Sequence, residues 1–304
     1  MRSLVAREKG CSAPAAGKAA SGAMRGSPPS GILEGMDMSG LVDYHLHTPR
    51  CGHAVGDLEE YVARALLLGL SEVGFSDHFP LLHLRDSTLS MSLEELPHYV
   101  EEVNHLAGSV SGVRVRLGIE VDYVPGYVER TAEILSAYAF DYVMGSVHFL
   151  DGWGFDDPRY VEGYRGRDLY ALWARYFQVL GDAAESGLFD VLAHPDLIKK
   201  FGYRPLGDVT PLYESCLDRV AAAGLAVEVS TAGLSKPVGE IYPGEEFLRL
   251  CRRREIPVTL GSDAHSPEEV GRFYGAAVEL LRRVGYTEIA FFERRRMKLA
   301  PLPA

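Results

Sequence analysis

The stretch DYHLHT at residues 43–48 opens the region of the chain in which polar and apolar residues alternate. Alternation with a period of two is typical of a β-strand, in which residues two apart lie on the same side. His45 and His47 therefore share one face of the predicted strand. Two such histidines are either packed side chains of the core or half of a metal site, and the local sequence favours neither interpretation.

The pattern of this first strand recurs along the chain. Short apolar and β-branched runs predict seven strands, at residues 41–47, 72–78, 113–123, 141–149, 190–196, 225–231 and 257–265. Segments of helical period predict helices at residues 57–69, 92–108, 126–138, 168–186, 210–223, 243–253 and 266–284. Seven successive strand–helix units predict an α/β fold in which a parallel sheet closes into a TIM-like barrel.

Histidines and carboxylates fall where the predicted strands end. The strand ends and the first loop carry His45, His47, His53, His78, Glu120, His148, His194, Asp263 and His265. In a β/α barrel, the carboxyl ends of the strands open onto one face, so these side chains should meet. Each residue alone is more typical of a packed histidine or a capping carboxylate. Their shared position outweighs that interpretation, because burying so many titratable groups together without a cation is costly.

The residue types in this set predict both the metal and the chemistry. Imidazole and carboxylate ligands without cysteine suit Zn, Fe or Mn. The set is too large for one ion with roughly four to six ligands, so two or three ions are expected. Clustered ions bind both the attacking and the departing oxygen of an in-line displacement. Hydrolysis of a phosphoester is therefore the expected reaction.

Composition argues against several function classes. The formal net charge of −11 argues against a nucleic-acid partner, because phosphate contacts need clustered Lys and Arg, but a small phosphorylated substrate remains compatible. No apolar run approaches the ~18–20 residues that span a bilayer, so no membrane partner is expected. Four cysteines without CxxC spacing are typical of a reducing compartment, and we expect a cytoplasmic protein. The sequence is compatible with a homo-oligomer.

The first part of the chain differs from the rest. Residues 1–38 are rich in Ala, Gly, Ser and Pro and lack the sustained apolar segment of a secretory signal. We expect a disordered extension, or upstream sequence translated ahead of a start near Met36 or Met38. Residues 39–304 are expected to form the functional domain.

Six short motifs resemble those of a known family. In chain order they are DYHLHT, FSDH, GIEVDY, SVHF, AHPD and GSDAH, and together they resemble the motifs of the polymerase-and-histidinol-phosphatase (PHP) superfamily. The match runs from about residue 41 to residue 275. Three longer segments resemble the histidinol-phosphatase branch: HTPRCGHA (47–54), STAGLSKPVGEIYP (230–243) and GSDAHSPEEVG (261–271).

The resemblance implies a distorted barrel of seven β/α units that holds three divalent metal ions, with residues 39–304 as the PHP phosphatase domain. One ion would be bound by His45, His47, Glu120 and Asp263. A second would share Glu120 and take His148 and His194. The third would be bound by His53, His78 and His265.

The implied reaction is hydrolysis of L-histidinol phosphate to L-histidinol and phosphate, in L-histidine biosynthesis. An alternative is a PHP phosphoesterase acting on a sugar phosphate, a nucleotide or phosphotyrosine. A third hypothesis is a non-catalytic PHP module that stabilises a larger assembly. That hypothesis predicts missing ligands, whereas every motif here carries one.

Further roles follow from the same resemblance and from position in the chain. Asp263, His265 or water on the third ion could donate the proton that the leaving alkoxide needs. Asp43 and Asp77 are expected to orient ligand imidazoles through hydrogen bonds.

A phosphate group usually meets a cation at the rim of its site. The candidates are Lys199, which the resemblance favours, Lys236 and Arg159. Glu240 or Asp156 is expected to meet the amino end of the substrate. Trp153 is either a lid over the cleft or part of a surface turn.

Overall fold

A computed structural model of the protein describes residues 38–303. Its strands are β1 (Val42–Leu46), β2 (Glu72–Phe75), β3 (Arg114–Leu117), β4 (Glu120–Asp122), β5 (Met144–Ser146), β6 (Phe149–Leu150), β7 (Trp153–Gly154), β8 (Val191–Leu192), β9 (Ala226–Ser230), β10 (Val258–Gly261), β11 (Glu288–Glu293) and β12 (Arg296–Pro301). Its α-helices are α1 (Leu58–Leu68), α2 (Leu96–Ser109), α3 (Val128–Leu135), α4 (Leu169–Glu185), α5 (Thr210–Ala223), α6 (Glu245–Arg253) and α7 (Tyr274–Val284). The extension predicted at residues 1–38 lies outside the described residues, apart from Met38, which packs into the core.

Parallel strands form a closed ring. One sheet has the order β1-β2-β3 and the other the order β10-β9-β8-β5-β4, and every pairing in them is parallel. The end of β1 joins the segment after β10, because the His47 N–H donates to the Ala264 carbonyl (2.9 Å) and the Ala264 N–H donates to the His45 carbonyl (3.0 Å). The predicted distorted TIM-like barrel is confirmed.

The distortion lies in the third predicted strand, at residues 113–123. Its first half, β3, pairs with β2, whereas its second half, β4, pairs with β5. The break falls at Gly118, where a Cβ atom would lie 2.2 Å from the ring of Tyr142. Tyr142 is fully buried, and its hydroxyl donates to the Tyr44 carbonyl (2.6 Å). Glycine at this position therefore leaves space for an aromatic ring that links neighbouring strands.

The predicted helix at 266–284 starts later than expected. Residues Pro267–Glu269 form a short 3-10 helix, and α7 begins at Tyr274. Gly271 and Phe273 between them have left-handed backbone angles, with φ of 65° and 57°. Such angles interrupt an α-helix, and the Gly271 N–H donates to the Asp43 carboxylate instead of to a helical carbonyl (2.9 Å).

Two β-hairpins were not predicted from the sequence. The β6–β7 hairpin turns at Asp151 and Gly152, and the β11–β12 hairpin turns at Arg294 and Arg295, all with positive φ. Asp-Gly is a common hairpin turn, whereas Arg-Arg provides no such signal. The β11–β12 hairpin covers the amino-terminal end of the barrel, where the Phe292 N–H donates to the Tyr44 hydroxyl (3.3 Å).

A buried carboxylate ties the amino-terminal ends of three neighbouring strands. Glu72 at the start of β2 accepts hydrogen bonds from the Tyr44 hydroxyl (2.7 Å), Arg114 (2.6 Å) and Arg116 (2.8 Å). Burial raises the pKa of Glu72, but hydrogen bonds from Arg116, Tyr44 and Arg114 outweigh it, so the pKa lies below its usual value. The group is therefore ionised and stabilises the barrel end opposite the histidines.

Within the described part of the chain, none of the helices combines the length and apolar character needed to span a membrane.

Candidate metal centre

The carboxylate of Glu120 lies at the centre of the histidines that the strands bring together. His194 Nε2 is 2.9 Å from its Oε1 atom, His78 Nδ1 is 3.0 Å from its Oε2 atom and His45 Nε2 is 3.4 Å from Oε2. His148 Nε2 stands 3.8 Å from Oε1. One carboxylate that faces imidazoles from several strands can bridge more than one cation.

Asp263 provides a second carboxylate on the same face. Its Oδ1 atom lies 3.1 Å from His47 Nε2 and 3.8 Å from His45 Nε2. Burial raises the pKa of Asp263, but the neighbouring His45 and His47 lower it well below its usual value. Asp263 and His194 both have left-handed backbone angles, with φ of 51° and 28°. Strained backbone of this kind, directly after a strand, is common at functional sites.

His53 and His265 form a separate pair at the edge of the cluster. Their Nε2 atoms are 3.0 Å apart, and the ring of His265 stacks on that of His47 at a centroid distance of 4.0 Å. Burial and the neighbouring His78 and His47 lower the pKa of His53 to about 4. Two neutral imidazoles whose ring nitrogens face each other at this distance provide lone pairs for a shared cation.

Unpartnered buried atoms show that the residues fit a metal. His45 Nε2, His47 Nε2 and Glu120 Oε2 are buried, and none of their close approaches to neighbouring side chains among the described residues has the geometry of a hydrogen bond. His45, His47 and Asp263 place ligand atoms within 4.8 Å of one another, and so do His45, Glu120 and His194. Buried polar atoms without partners are costly, and a divalent cation would satisfy them.

Carboxylates behind the histidines bind the opposite ring nitrogens. Asp77 Oδ1 lies 3.3 Å from His47 Nδ1, and Thr48 donates its hydroxyl proton to the same carboxylate. Asp122 Oδ1 lies 3.1 Å from His148 Nδ1. Hydrogen bonds of this kind fix the ring orientation of metal-binding histidines.

A deep cavity opens above the cluster. It has a volume of about 670 Å³, and Glu120, His148, His194, Asp263 and His265 line it. Its walls include apolar side chains, among them Leu81, Leu84, Phe149, Trp153 and Tyr160. A small organic phosphate fits a cavity of this size and mixed character.

Comparisons with known proteins agree with this geometry. The family model described as PHP domain matches residues 43–232, and a second, described as PHP-associated, matches residues 245–279. A protein of Deinococcus radiodurans named probable histidinol-phosphatase is 45% identical over 258 residues, which are 84% of this chain and 98% of that protein. The chain belongs to the PHP family.

More distant members of the PHP family cover the same region. Histidinol-phosphatase of Bacillus subtilis is 28% identical over 264 residues, with 78% of this chain and 98% of that protein covered. A crystal structure of histidinol phosphate phosphatase from Lactococcus lactis, complexed with Zn, L-histidinol and phosphate, has a TM-score of 0.73 at 20% identity. That match covers 85% of this chain and 98% of the other, and it shows the PHP fold.

The structure corrects the role expected for Asp43 in this PHP protein. Its carboxylate accepts hydrogen bonds from the Ser262 N–H (2.8 Å), the Ser262 hydroxyl (2.5 Å) and the Gly271 N–H (2.9 Å). Asp43 therefore anchors the loop that carries Asp263, instead of orienting an imidazole. The spacing in DYHLHT indicated the face of the strand but not which neighbouring segment each side chain meets.

Lys199 is also placed differently from the prediction. Its ammonium is buried and binds Asp196 Oδ2 (2.7 Å) and the Ile241 carbonyl (2.9 Å), and Lys199 is not among the residues that line the cavity. Glu240 is likewise absent from the lining, because it pairs with Arg204 (2.6 Å) and Lys199.

Other cations do face the cavity. Arg159, Lys200 and Lys236 line it, and Lys200 Nζ lies 2.9 Å from Asp156, which also lines it. Trp153 lies at the wall, where its ring packs against Tyr164 at 4.8 Å.

Three functional candidates were missed in the sequence. Asp122 follows Glu120 at the same spacing as the two histidines of DYHLHT, so the same argument applied to β4 would have found it. Glu228, a single acidic residue within the apolar β9, lies 2.7 Å from His45 Nδ1. Arg272 donates to the carbonyls of Ser262 (3.2 Å) and Asp263 (3.2 Å), and no sequence signal identifies it.

Proposed function

We propose that this PHP protein hydrolyses L-histidinol phosphate to L-histidinol and phosphate, as a metal-dependent step of L-histidine biosynthesis. Seven of the nine predicted ligands line one cavity, and the other two, His45 and His47, are buried with unpartnered Nε2 atoms, which supports the reaction class. The names of the relatives from Deinococcus radiodurans and Bacillus subtilis support the substrate.

Three divalent ions, of Zn, Fe or Mn, account for the ligand set. His45, His47, Glu120 and Asp263 would bind the first ion, with Glu120 shared by a second held by His148 and His194. The third would be held by His53, His78 and His265, and the 3.0 Å approach of the His53 and His265 Nε2 atoms supports this group. When bound, the ions supply positive charge to the phosphoryl oxygens and lower the pKa of water.

The remaining chemistry falls to residues of the chain. Arg159, Lys200 and Lys236 line the cavity and provide cations for phosphate oxygens that the floor does not bind. Asp263 and His265 also line it, but the low pKa of each leaves Asp263 ionised and His265 neutral, so water is the better proton donor for the leaving alkoxide of histidinol. Asp77 and Asp122 keep the imidazoles of the floor in position.

The substrate carries a flat imidazole and an amine beside its phosphate. Apolar walls that include Phe149 and Trp153 suit the ring, and Asp156 and Asp157, which also line the cavity, suit the amine. The Lactococcus lactis structure, which has the same fold, is complexed with Zn, L-histidinol and phosphate.

Location in the cytoplasm and the oligomeric state stay predictions. The three cysteines of the described residues, Cys51, Cys216 and Cys251, are buried free thiols, and these are stable in a reducing compartment.

Metal analysis with chelation tests the proposal. Purified protein should contain about three ions per chain, lose phosphate release from L-histidinol phosphate when a chelator removes them, and recover it when Zn²⁺, Fe²⁺ or Mn²⁺ is added. Full activity in metal-free protein would contradict it.

A further inference from the structure

Glu228 is a buried carboxylate in the middle of β9, and each of its oxygens contacts a different predicted metal ligand. Oε1 lies 2.7 Å from His45 Nδ1. Oε2 accepts a hydrogen bond from the backbone N–H of His194, also at 2.7 Å. The side chain is fully buried, so both contacts form away from water, where charge-assisted hydrogen bonds are strong.

The contact with His45 determines which ring nitrogen faces the cluster. An ionised carboxylate only accepts hydrogen bonds, so His45 Nδ1 carries the ring proton. Nε2 then has a free lone pair, and this atom is the buried one without a partner, 3.4 Å from Glu120 Oε2. This tautomer is the one needed to bind a cation through Nε2.

The contact with His194 acts on the backbone. His194 has a φ of 28°, which is unfavourable for a residue with a Cβ atom. The hydrogen bond from its N–H to Glu228 stabilises this conformation and so places His194 Nε2 at 2.9 Å from Glu120 Oε1.

The neighbouring strand leaves space for this carboxylate. Gly261 in β10 pairs with Ser230 of β9, and a Cβ atom at Gly261 would lie 2.0 Å from Glu228 Oε1. It would also lie 2.7 Å from the Cβ atom of His45. Glycine at this position therefore allows the close contact between Glu228 and His45.

We propose that Glu228 is a positioning residue that fixes the tautomer of His45 and the backbone of His194, so that one carboxylate organises ligands of two metal sites. This inference rests on the proposed function for the presence of the metals. Glutamine has nearly the same size but offers one acceptor to two donors, so Glu228→Gln either loses one of the two hydrogen bonds or donates its amide N–H to His45 Nδ1, which moves the ring proton to Nε2.

Zn²⁺ affinity, measured by competition with a chelator on the full chain, tests the proposal. Glu228→Gln should bind Zn²⁺ about 10- to 100-fold more weakly than the wild-type protein. Glu72→Gln is the matched control, because Glu72 is also a buried strand glutamate but lies at the other end of the barrel. It should bind Zn²⁺ like the wild-type protein. Equal affinities in Glu228→Gln and the wild type would overturn the proposal.

A second measurement does not depend on how the variant folds. Nitrogen-15 NMR of the zinc-loaded wild-type protein should show the His45 ring proton on Nδ1, and a proton on Nε2 would overturn the proposal. A wild-type protein that neither binds Zn²⁺ nor releases phosphate from L-histidinol phosphate would refute the proposed function itself. Wild-type binding and activity, with unchanged Zn²⁺ affinity in Glu228→Gln, would refute only the role of Glu228.

Discussion

Among single residues, Asp263 provides the most specific test of the proposed metal centre. Its carboxylate faces His47 and His45 at the floor of the cavity, and its φ of 51° is one that asparagine also tolerates. Asp263→Asn removes the negative charge while keeping shape and backbone. We expect turnover of L-histidinol phosphate to fall on the order of 10²- to 10³-fold, as for other removed electrostatic groups. Steady-state kinetics measures this, and an unchanged circular dichroism spectrum of the metal-free protein is the control that the variant is folded.

Replacement of Lys199 tests its buried ion pair with Asp196. Burial raises the pKa of Asp196 despite the adjacent ammonium of Lys199, so loss of that ammonium leaves an unfavourable group in the core. Lys199→Met should lower the free energy of unfolding by about 3–5 kcal/mol. Denaturant unfolding measures it, and KM of the folded enzyme should stay the same. A raised KM with wild-type stability would instead return Lys199 to the phosphate site.

Lys200, the next residue, is expected to behave in the opposite way. It lines the cavity, and one charged hydrogen bond to a phosphate is worth about 1.5–3 kcal/mol. Lys200→Met should therefore raise KM for L-histidinol phosphate about tenfold or more, with little change in melting temperature. An unchanged KM would show that Lys200 serves only its ion pair with Asp156.

The sequence predicted which side chains meet on one face of the barrel better than the contacts that surround them. Strand ends identify a shared face, and the structure brings all nine predicted ligands to it. The strand period did not show that Asp43 meets Ser262 of another segment, because that depends on packing between strands. The sequence also could not show that Lys199 is buried whereas Lys200 faces the cavity. That difference depends on the short helix Leu197–Lys199.

At the scale of elements, Glu72 links β1, β2 and β3. Its ionisation should make the free energy of unfolding depend on pH. Its folded-state pKa lies below its usual value of 4.5, because hydrogen bonds from Arg116, Tyr44 and Arg114 outweigh the effect of burial. Its contribution to stability is therefore complete above pH 4.5 and is lost as the pH falls through the folded-state pKa.

Glu72→Gln should thus lower the free energy of unfolding by about 2 kcal/mol at neutral pH. The difference from the wild-type protein should shrink as the pH falls below 4.5. Denaturant unfolding across this range, on metal-free samples of both proteins, measures the effect. A difference that stays constant down to the lowest pH would contradict the assigned ionisation of Glu72.

Strands with strong apolar runs were predicted from the sequence, whereas irregular connections were not. The split of residues 113–123 into β3 and β4 depends on Tyr142, which is distant from Gly118 in sequence. The late start of α7 depends on backbone angles at Gly271 and Phe273 that local propensity does not specify. Tertiary contacts decide both features.

At the scale of the whole molecule, the contacts that stabilise the barrel and the residues of the candidate metal centre lie at opposite ends. The β11–β12 hairpin and the Glu72 ion pairs cover the amino-terminal end, while the predicted ligands lie at the carboxyl-terminal end. The chain carries a net charge of −11, yet Arg159, Lys200, Lys236 and Arg272 all line the cavity. Seven carboxylates line the cavity as well, so the lining is not positive overall, and binding of a small anion would depend on these cations together with the proposed metal ions.

We expect the cavity to select histidinol phosphate among small phosphomonoesters. The most direct test measures kcat/KM for phosphate release from L-histidinol phosphate, a sugar phosphate, a nucleotide and phosphotyrosine, on one metal-loaded preparation. We predict that L-histidinol phosphate is preferred by at least about 100-fold, the ratio that roughly 2.8 kcal/mol of differential binding provides. Comparable values on several of these substrates, or a preference for another of them, would contradict the claim.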